Sequence, residues 1–295
     1  MALGKLQRYV KKVNLMSIMC CVYVPEGIVM AADSRLTRTK NIKAPVEIPN
    51  ADGTVKTVII PETTYTSSDN SQKVLLIKKA SVGVSFCGNA IIGGGTVADF
   101  IRRFEIEKVV ENDTTEEIAK KLSLYYTENG THFFVSGYDN DVPFVFDVFG
   151  GTVKRANIAD AYIPEPKSKD AANDESVDSP EVGTPENLKK TNEENAAENE
   201  VSKSELIIQY GALWAGQKTA ITKIVNNPPI LNANWNMMPL KDAIDFAEFL
   251  VDTTIKYERF CDDIQTCGGD IDILVITKDE AFWKQHKIYN PIAKT

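Results

Sequence analysis

Residues 17–24 and 28–34 are two apolar runs of strand length, separated by Pro25-Glu26-Gly27, and they predict a β-hairpin that opens the fold. "VEIPNADGTVKTVII" reads as an inserted hairpin turning at Asp52-Gly53, and "KVLLIKKASVGVSFCG" as two further strands. After "GNAIIGGG" the period changes. Val97, Phe100, Ile101 and Phe104 make one helical stripe, and a second helix over about 114–127 has Thr114 or Thr115 near its cap. "THFFVSGYDNDVPFVFDVFGGTVKR" reads as three strands in a meander. Strand-like sequence resumes at "SELIIQY", a helix is expected over 215–225, and another starts with Pro239 as its first residue. "GGDIDILVITKD" closes the pattern as a strand. Helices fall between blocks of strands rather than alternating with single strands, which predicts an α+β layered arrangement of antiparallel sheets covered by helices.

Upstream of the hairpin, Leu3, Leu6, Val10 and Val13 repeat at helical spacing among Lys5, Arg8, Lys11 and Lys12. Residues 1–15 are read as a leader, either a packing cap or a miscalled start, rather than as a membrane contact. The same basic stretch followed by "VNLMSIMCCVYV" imitates a secretory signal, but no A-x-A cleavage site follows directly.

Composition changes the picture in two places. The net charge of −8 offers no footprint for nucleic acid, and most of it sits in residues 163–204, which hold eleven acidic and five basic side chains. That segment has almost no large apolar residues and is expected to be a disordered acidic insertion within one domain made of 16–162 and 205–295. The five cysteines are odd in number and form no CxxC pair, so a reducing, cytoplasmic setting without a disulfide frame is expected. No apolar stretch is long enough to span a bilayer, so no membrane partner is expected.

The candidate chemistry is short of histidine. A Ser-His-Asp triad would have to use His132 or His286, and no G-x-S-x-G elbow accompanies either. Two histidines do not supply a zinc site, and "GNAIIGGGT" lacks the G-K-[ST] ending of a phosphate loop, so neither metal nor cofactor is expected. A hydrolase without histidine has another base in the α-amino group, whose ordinary pKa is about 7.7–8.0. If a hydroxyl residue is itself the N-terminus, it supplies nucleophile and base together. The other needs are a lysine to lower the hydroxyl pKa, a carboxylate to hold the lysine, and a backbone N–H for the oxyanion. Ser17 opens the first strand and Asp33 ends the second. Lys73 opens the third long strand, and Gly88 ends the fourth just before an expected helix N-terminus. The plainer readings are a strand-start serine, a surface Asp33–Arg35 ion pair and a simple turn glycine. Cys20, after Met19, is an alternative N-terminal nucleophile out of register with Asp33. Cys20, Cys21 and Cys87 otherwise read as core thiols.

These same stretches resemble the proteasome β-subunit family of N-terminal-nucleophile hydrolases. "GIVMAADSRLT" is similar to its Gly-apolar-Ala-Ala-Asp-x-Arg block, and "QKVLLI" to its catalytic-lysine strand. "GVSFCGNA" is similar to its oxyanion turn, "SGYDNDVPFVFDVFGG" to its central hairpin, and "CGGDIDILVITKD" to its closing glycines and strand. The resemblance implies a four-layer αββα sandwich and places the nucleophile on Ser17. It places the aspartate on Asp33, the arginine on Arg35, the lysine on Lys73 and the oxyanion glycine on Gly88. The family's supporting serine falls on Ala212 of "YGALWAG". A second falls on Cys267, and a supporting aspartate is expected near Asp263, one residue out of register. The implied activity is hydrolysis of peptide bonds in peptide or unfolded protein by a homo-oligomeric ring, with any ATPase partner unspecified. The alternatives are an inactive structural ring subunit and a small-molecule amidase. Exposure of Ser17 is expected either by self-cleavage after Met16 or, preferably, by aminopeptidase removal of Met16 as the true initiator.

Overall fold

The computed structural model describes residues 17–40, 45–50, 52–59, 63–128, 130–158, 207–225 and 233–287. The leader and the acidic insertion lie outside them. The elements run β1 (Ile18–Val24), β2 (Gly27–Ala32), β3 (Leu36–Lys40), β4 (Pro45–Pro49), β5 (Val55–Ile59), β6 (Thr63–Ser68), β7 (Val74–Ile77) and β8 (Val82–Gly88). A two-residue pair, β9 (Ile91–Ile92) and β10 (Gly95–Thr96), precedes α1 (Val97–Lys108) and α2 (Thr115–Tyr125). Then come β11 (Thr131–Asp139), β12 (Val142–Phe149), β13 (Thr152–Arg155), β14 (Gly211–Gly216), α3 (Thr219–Val225), α4 (Leu240–Glu258), β15 (Asp272–Ile276) and β16 (Ala281–Gln285). The fold is α+β with antiparallel sheets.

Two five-stranded sheets carry the core. One has the order β14-β1-β2-β15-β16 and the other β13-β12-β11-β8-β7, and every pairing is antiparallel. β1 and β2 are central strands, which explains why "IMCCVYV" and "GIVMAA" are apolar at every position rather than at alternate ones. Ile18, Cys20, Val22 and Val24 pack with Ala243, Ala247, Leu250 and Val251 of α4. Met19, Cys21 and Tyr23 point the other way, to Cys87, Phe134 and Val145 of the second sheet. The opposite face of that second sheet, through Val84, Phe86, Phe133 and Val135, is covered by Phe100, Ile101 and Phe104 of α1 and by Ile118 and Leu122 of α2. Successive side chains of one strand thus feed two different cores.

Local signals set the helix ends. Thr96 accepts from the Asp99 N–H at the start of α1. Thr114 and Glu117 form a reciprocal capping box at α2. Pro239 caps α4 with its fixed φ of −63° and lies just outside the helix. The inserted hairpin is β4 with β5, nested within the β3–β6 pair, and its turn closes with the Gly53 N–H on the Asn50 carbonyl.

Three expectations need correction. The strand after the insertion is not at "SELIIQY". Among its described residues, Ile207 to Tyr210 lie outside the strand, which begins at Gly211 because that is where pairing with Tyr23 of β1 starts. Residues 215–216 complete this strand, so the helix expected from 215 begins at Thr219. α1 does not follow Gly88 directly, since the β9–β10 pair intervenes and the helix N-terminus is at Val97. No described helix is long and apolar enough to cross a membrane.

Candidate active site

The β1–β2 hairpin folds residue 33 back onto residue 17. The Asp33 N–H donates to the Ile18 carbonyl at 3.3 Å, and the Ile18 N–H donates to Asp33 Oδ1 at 3.1 Å. Lys73 arrives from the second sheet, where its carbonyl accepts from the Phe86 N–H at 3.0 Å just before β7. Its ammonium lies between the other two groups, 2.8 Å from Asp33 Oδ1 and 2.6 Å from Ser17 Oγ. Ser17 is 5%, Asp33 0% and Lys73 1% exposed. An ion pair buried this deeply needs its remaining lone pairs satisfied. Asp33 Oδ2 meets that need by accepting from the Arg35 N–H and the Gly268 N–H, both at 3.0 Å. The carboxylate therefore has four donors drawn from four parts of the chain.

The arrangement supplies an activated hydroxyl. A lysine ammonium donating to Oγ favours the alkoxide form, and Asp33 fixes the ammonium's direction. The backbone at Ser17 is also special, with φ of +98°, a region serine rarely adopts. The Ser17 carbonyl is held by the Gln217 N–H at 2.8 Å, immediately after β14. Gly216 makes this approach feasible. It has φ of +101°, and a Cβ there would lie 1.9 Å from the Ser17 oxygen. Gly216→Ala is therefore expected to cost about 1–3 kcal/mol from backbone strain alone and to displace Ser17, readable as a lower denaturant midpoint.

The other anticipated residues fall out as follows. Gly88 ends β8 with φ of +100°. It stands two residues beyond Phe86, and therefore at the same end of the sheet as Lys73. Arg35 does not pair with Asp33 through its side chain. Its guanidinium makes a two-pronged bridge to Asp69, at 2.6 and 3.0 Å, which holds it above the ordinary arginine range. It also lies over Gly268, where a Cβ would come within 2.6 Å of Cζ. Cys267 is buried beside the site. Burial, with the charges of Asp33 and Glu258, pushes its thiol well up, and Lys73 only partly opposes this. Asp263 is exposed and borders a cavity of about 230 Å³ with Gln217, Glu258 and Cys261. The carboxylate that grips the Thr266–Cys267 segment is instead Glu258, through both backbone N–H groups and the Thr266 hydroxyl. Ala212 stands opposite Val22, five residues along β1 from Ser17, so the residue of that loop at the site is Gln217.

Other candidate nucleophiles and bases are engaged elsewhere. Cys20 faces α4, its thiol directed to the Ala247 carbonyl at 3.5 Å, and burial pushes it up. His132 pairs with Asp147 and lies tilted against Phe149, ring centres 4.8 Å apart. His286 stacks on Trp283 and meets Asp272 at 3.1 Å. Among the described residues, no group of three or more His, Cys, Asp or Glu could hold a metal ion. Asp69, Gln217, Glu258 and Ser34 are contributors that spacing alone did not single out. A signal for Gln217 was the glycine before it, since a close backbone approach needs one. Comparison with protein-family models finds no match, and comparison with curated proteins finds none.

Proposed function

We propose that this protein is an amide hydrolase of the N-terminal-nucleophile type that cleaves peptide bonds with Ser17. The observation that carries the proposal is the Lys73 ammonium 2.6 Å from Ser17 Oγ while it is bound to buried Asp33. Three apolar clusters, two between a sheet and its helices and one between the sheets, support reading the fold as a four-layer αββα sandwich of the proteasome β-subunit kind. The five free cysteines support a reducing, cytoplasmic setting.

Once Ser17 is the N-terminus, its α-amine takes the Oγ proton as Oγ attacks the substrate carbonyl carbon. Lys73 stabilises the negative charge developing on Oγ, and the Gly88 N–H is assigned to the oxyanion. The tetrahedral adduct collapses with cleavage of the C–N bond, and the protonated α-amine returns its proton to the leaving amine. Water then attacks the Ser17 ester, the α-amine again acts as base, and the carboxylate product leaves. A peptide nitrogen at Ser17 has no basic lone pair, so a chain that keeps its upstream residues lacks the base. Assembly into a ring would confine this activity to peptide or unfolded protein. A monomer or dimer that turns over a single amide would instead be the small-molecule amidase.

The test uses the protein matured in its host, with its N-terminus sequenced. A β-lactone or epoxyketone probe is expected to add one equivalent of mass at Ser17, and Ser17→Ala to abolish the adduct. Labelling that persists in Ser17→Ala, or a mature chain that retains residues 1–16, removes this reading.

A further inference from the structure

A second buried lysine sits on the far side of the same turn. Ser34 follows Asp33 and is fully buried. Its N–H donates to the Gly268 carbonyl at 2.8 Å, and its carbonyl accepts from the Ser71 N–H at 2.9 Å. It therefore joins the glycine loop to the segment that delivers Lys73. Its hydroxyl donates to the Asp270 carbonyl and accepts from Lys287 Nζ at 2.6 Å. Lys287 lies two residues past β16, with its side chain only 5% exposed. The same ammonium pairs with Asp272 Oδ2, and Asp272 is 1% exposed. Asp272 Oδ1 takes the Lys287 N–H and contacts His286 Nδ1, both at 3.1 Å.

This is more than a staple between β15 and β16, which already pair along their length. The ammonium passes Asp272 and ends on the residue next to the candidate catalytic aspartate. Two cations thus hold one turn, Lys73 through the Asp33 side chain and Lys287 through Ser34. The charged groups around Lys287 come from four places: Asp272 on β15, His286 after β16, Asp33 after β2 and Lys73 before β7. Burial pulls the Lys287 ammonium below the ordinary lysine range against the Asp272 carboxylate, and Lys73 pulls the same way while Asp33 opposes it. Lys287 is therefore electrostatically in touch with the site.

We infer that Lys287 is a positioning residue for the site. Docked on Asp272 and Ser34, it fixes the Asp33–Arg35 turn and adds a second positive charge behind Lys73. This rests on the proposed role of Ser17 for its effect on reactivity, but not for its effect on the turn. Removing the charge lowers the positive potential at the Ser17 amine, which Lys73, Asp33 and the nearby Cys267 thiol also face, and so raises the pH at which the amine loses its proton.

The experiment compares wild type with Lys287→Met, and with Lys287→Met combined with Asp272→Asn so that no carboxylate is left buried alone. Amide exchange is followed at Arg35, Ser71 and Gly268, with Leu250 and Val251 of α4 as internal controls. The pH profile of probe labelling is recorded alongside. In the double variant, exchange at the three site amides is expected to quicken about tenfold with the α4 amides within about twofold, since local opening is separable from global unfolding. In Lys287→Met, which removes the positive charge alone, the acid limb of labelling is expected to move up by about half a unit to one unit, and in the double variant, which removes both charges of the pair, by less. Uniform acceleration across the chain or no acceleration at the site amides in the double variant, or an unmoved acid limb in Lys287→Met, overturns the inference. If wild type itself fails to label, the hydrolase reading falls. The exchange pattern then decides alone, a selective change keeping the positioning role and a uniform or absent one removing it.

Discussion

Lys73→Met is expected to lower the free energy of unfolding by about 3–5 kcal/mol and to slow probe labelling of Ser17 at least about a hundredfold. The first effect follows from what the substitution leaves behind. Asp33 is fully buried and keeps three backbone donors, from Ile18, Arg35 and Gly268, but loses the cation 2.8 Å away. Hydrogen bonds from neutral N–H groups offset only part of the cost of a charge taken out of water. The second effect follows from the lost ammonium at Oγ, which methionine fills with apolar atoms of similar length. Asp33→Asn is expected to be destabilising for the mirror reason, since Lys73 would then be the uncompensated ion. The combination is the discriminating variant. Lys73→Met with Asp33→Asn should cost less than the sum of the single changes, with a coupling of roughly 1–3 kcal/mol in denaturant unfolding. Additive single effects would mean that the two side chains are not a unit, and the reading of the site would lose its physical basis.

The components of this unit differ in how plainly the chain announces them. Ser17, Asp33 and Lys73 were legible because each sits at the end of an apolar run, and a polar residue ending a buried strand must be placed by that strand. The stripe Val97, Phe100, Ile101 and Phe104 and the cap at Thr114 were legible for the same reason, since periodicity and capping act within a few residues. Contributors brought in by non-local pairing were hidden. Gln217 reaches Ser17 only because β14 pairs with β1 in one register, and a placement on Ala212 differs from it by five residues along that ladder. Asp69 meets Arg35 across the base of the β3–β6 ribbon, and Lys287 meets Ser34 across 253 positions. Nothing in the local sequence of either partner marks such a pair. The expected helix over 215–225 failed at its start because "AG" extends a strand whose partner lies almost two hundred residues away.

Stability is expected to fall steeply between pH 8.5 and 10, because the strands that build the site and the loop before β15 bury four thiols. Cys20 and Cys87 are pushed far above the ordinary thiol value of 9.0, Cys21 is pushed to about 12, and Cys267 is raised well above it, with burial the first cause in each case. A thiol whose folded pKa is raised stays protonated in the native state while the unfolded chain ionises. The unfolded state then binds fewer protons, and stability is lost as pH rises through the unfolded value, with no loss below it. At pH 10, one unit above 9, each thiol withdraws about 1.4 kcal/mol, so the four together withdraw about 6 kcal/mol. Tyr23 and Tyr138, both raised to about 12 by burial, add in the same direction. Lys287 is lowered by burial and works oppositely, because the unfolded lysine holds its proton longer. A single opposing group does not cancel six. A loss of this size is comparable to the whole stability of many domains, about 5–15 kcal/mol. Urea unfolding at pH 7.5, 9 and 10 under reducing agent should show the midpoint dropping most over the last interval, and Cys20→Ala or Cys87→Ala should flatten the drop despite lowering the starting value. A midpoint level from pH 8 to 10 would mean that these thiols are not sealed from water in the folded chain. The packing of β1 between its two cores, on which the placement of Ser17 depends, would then be wrong.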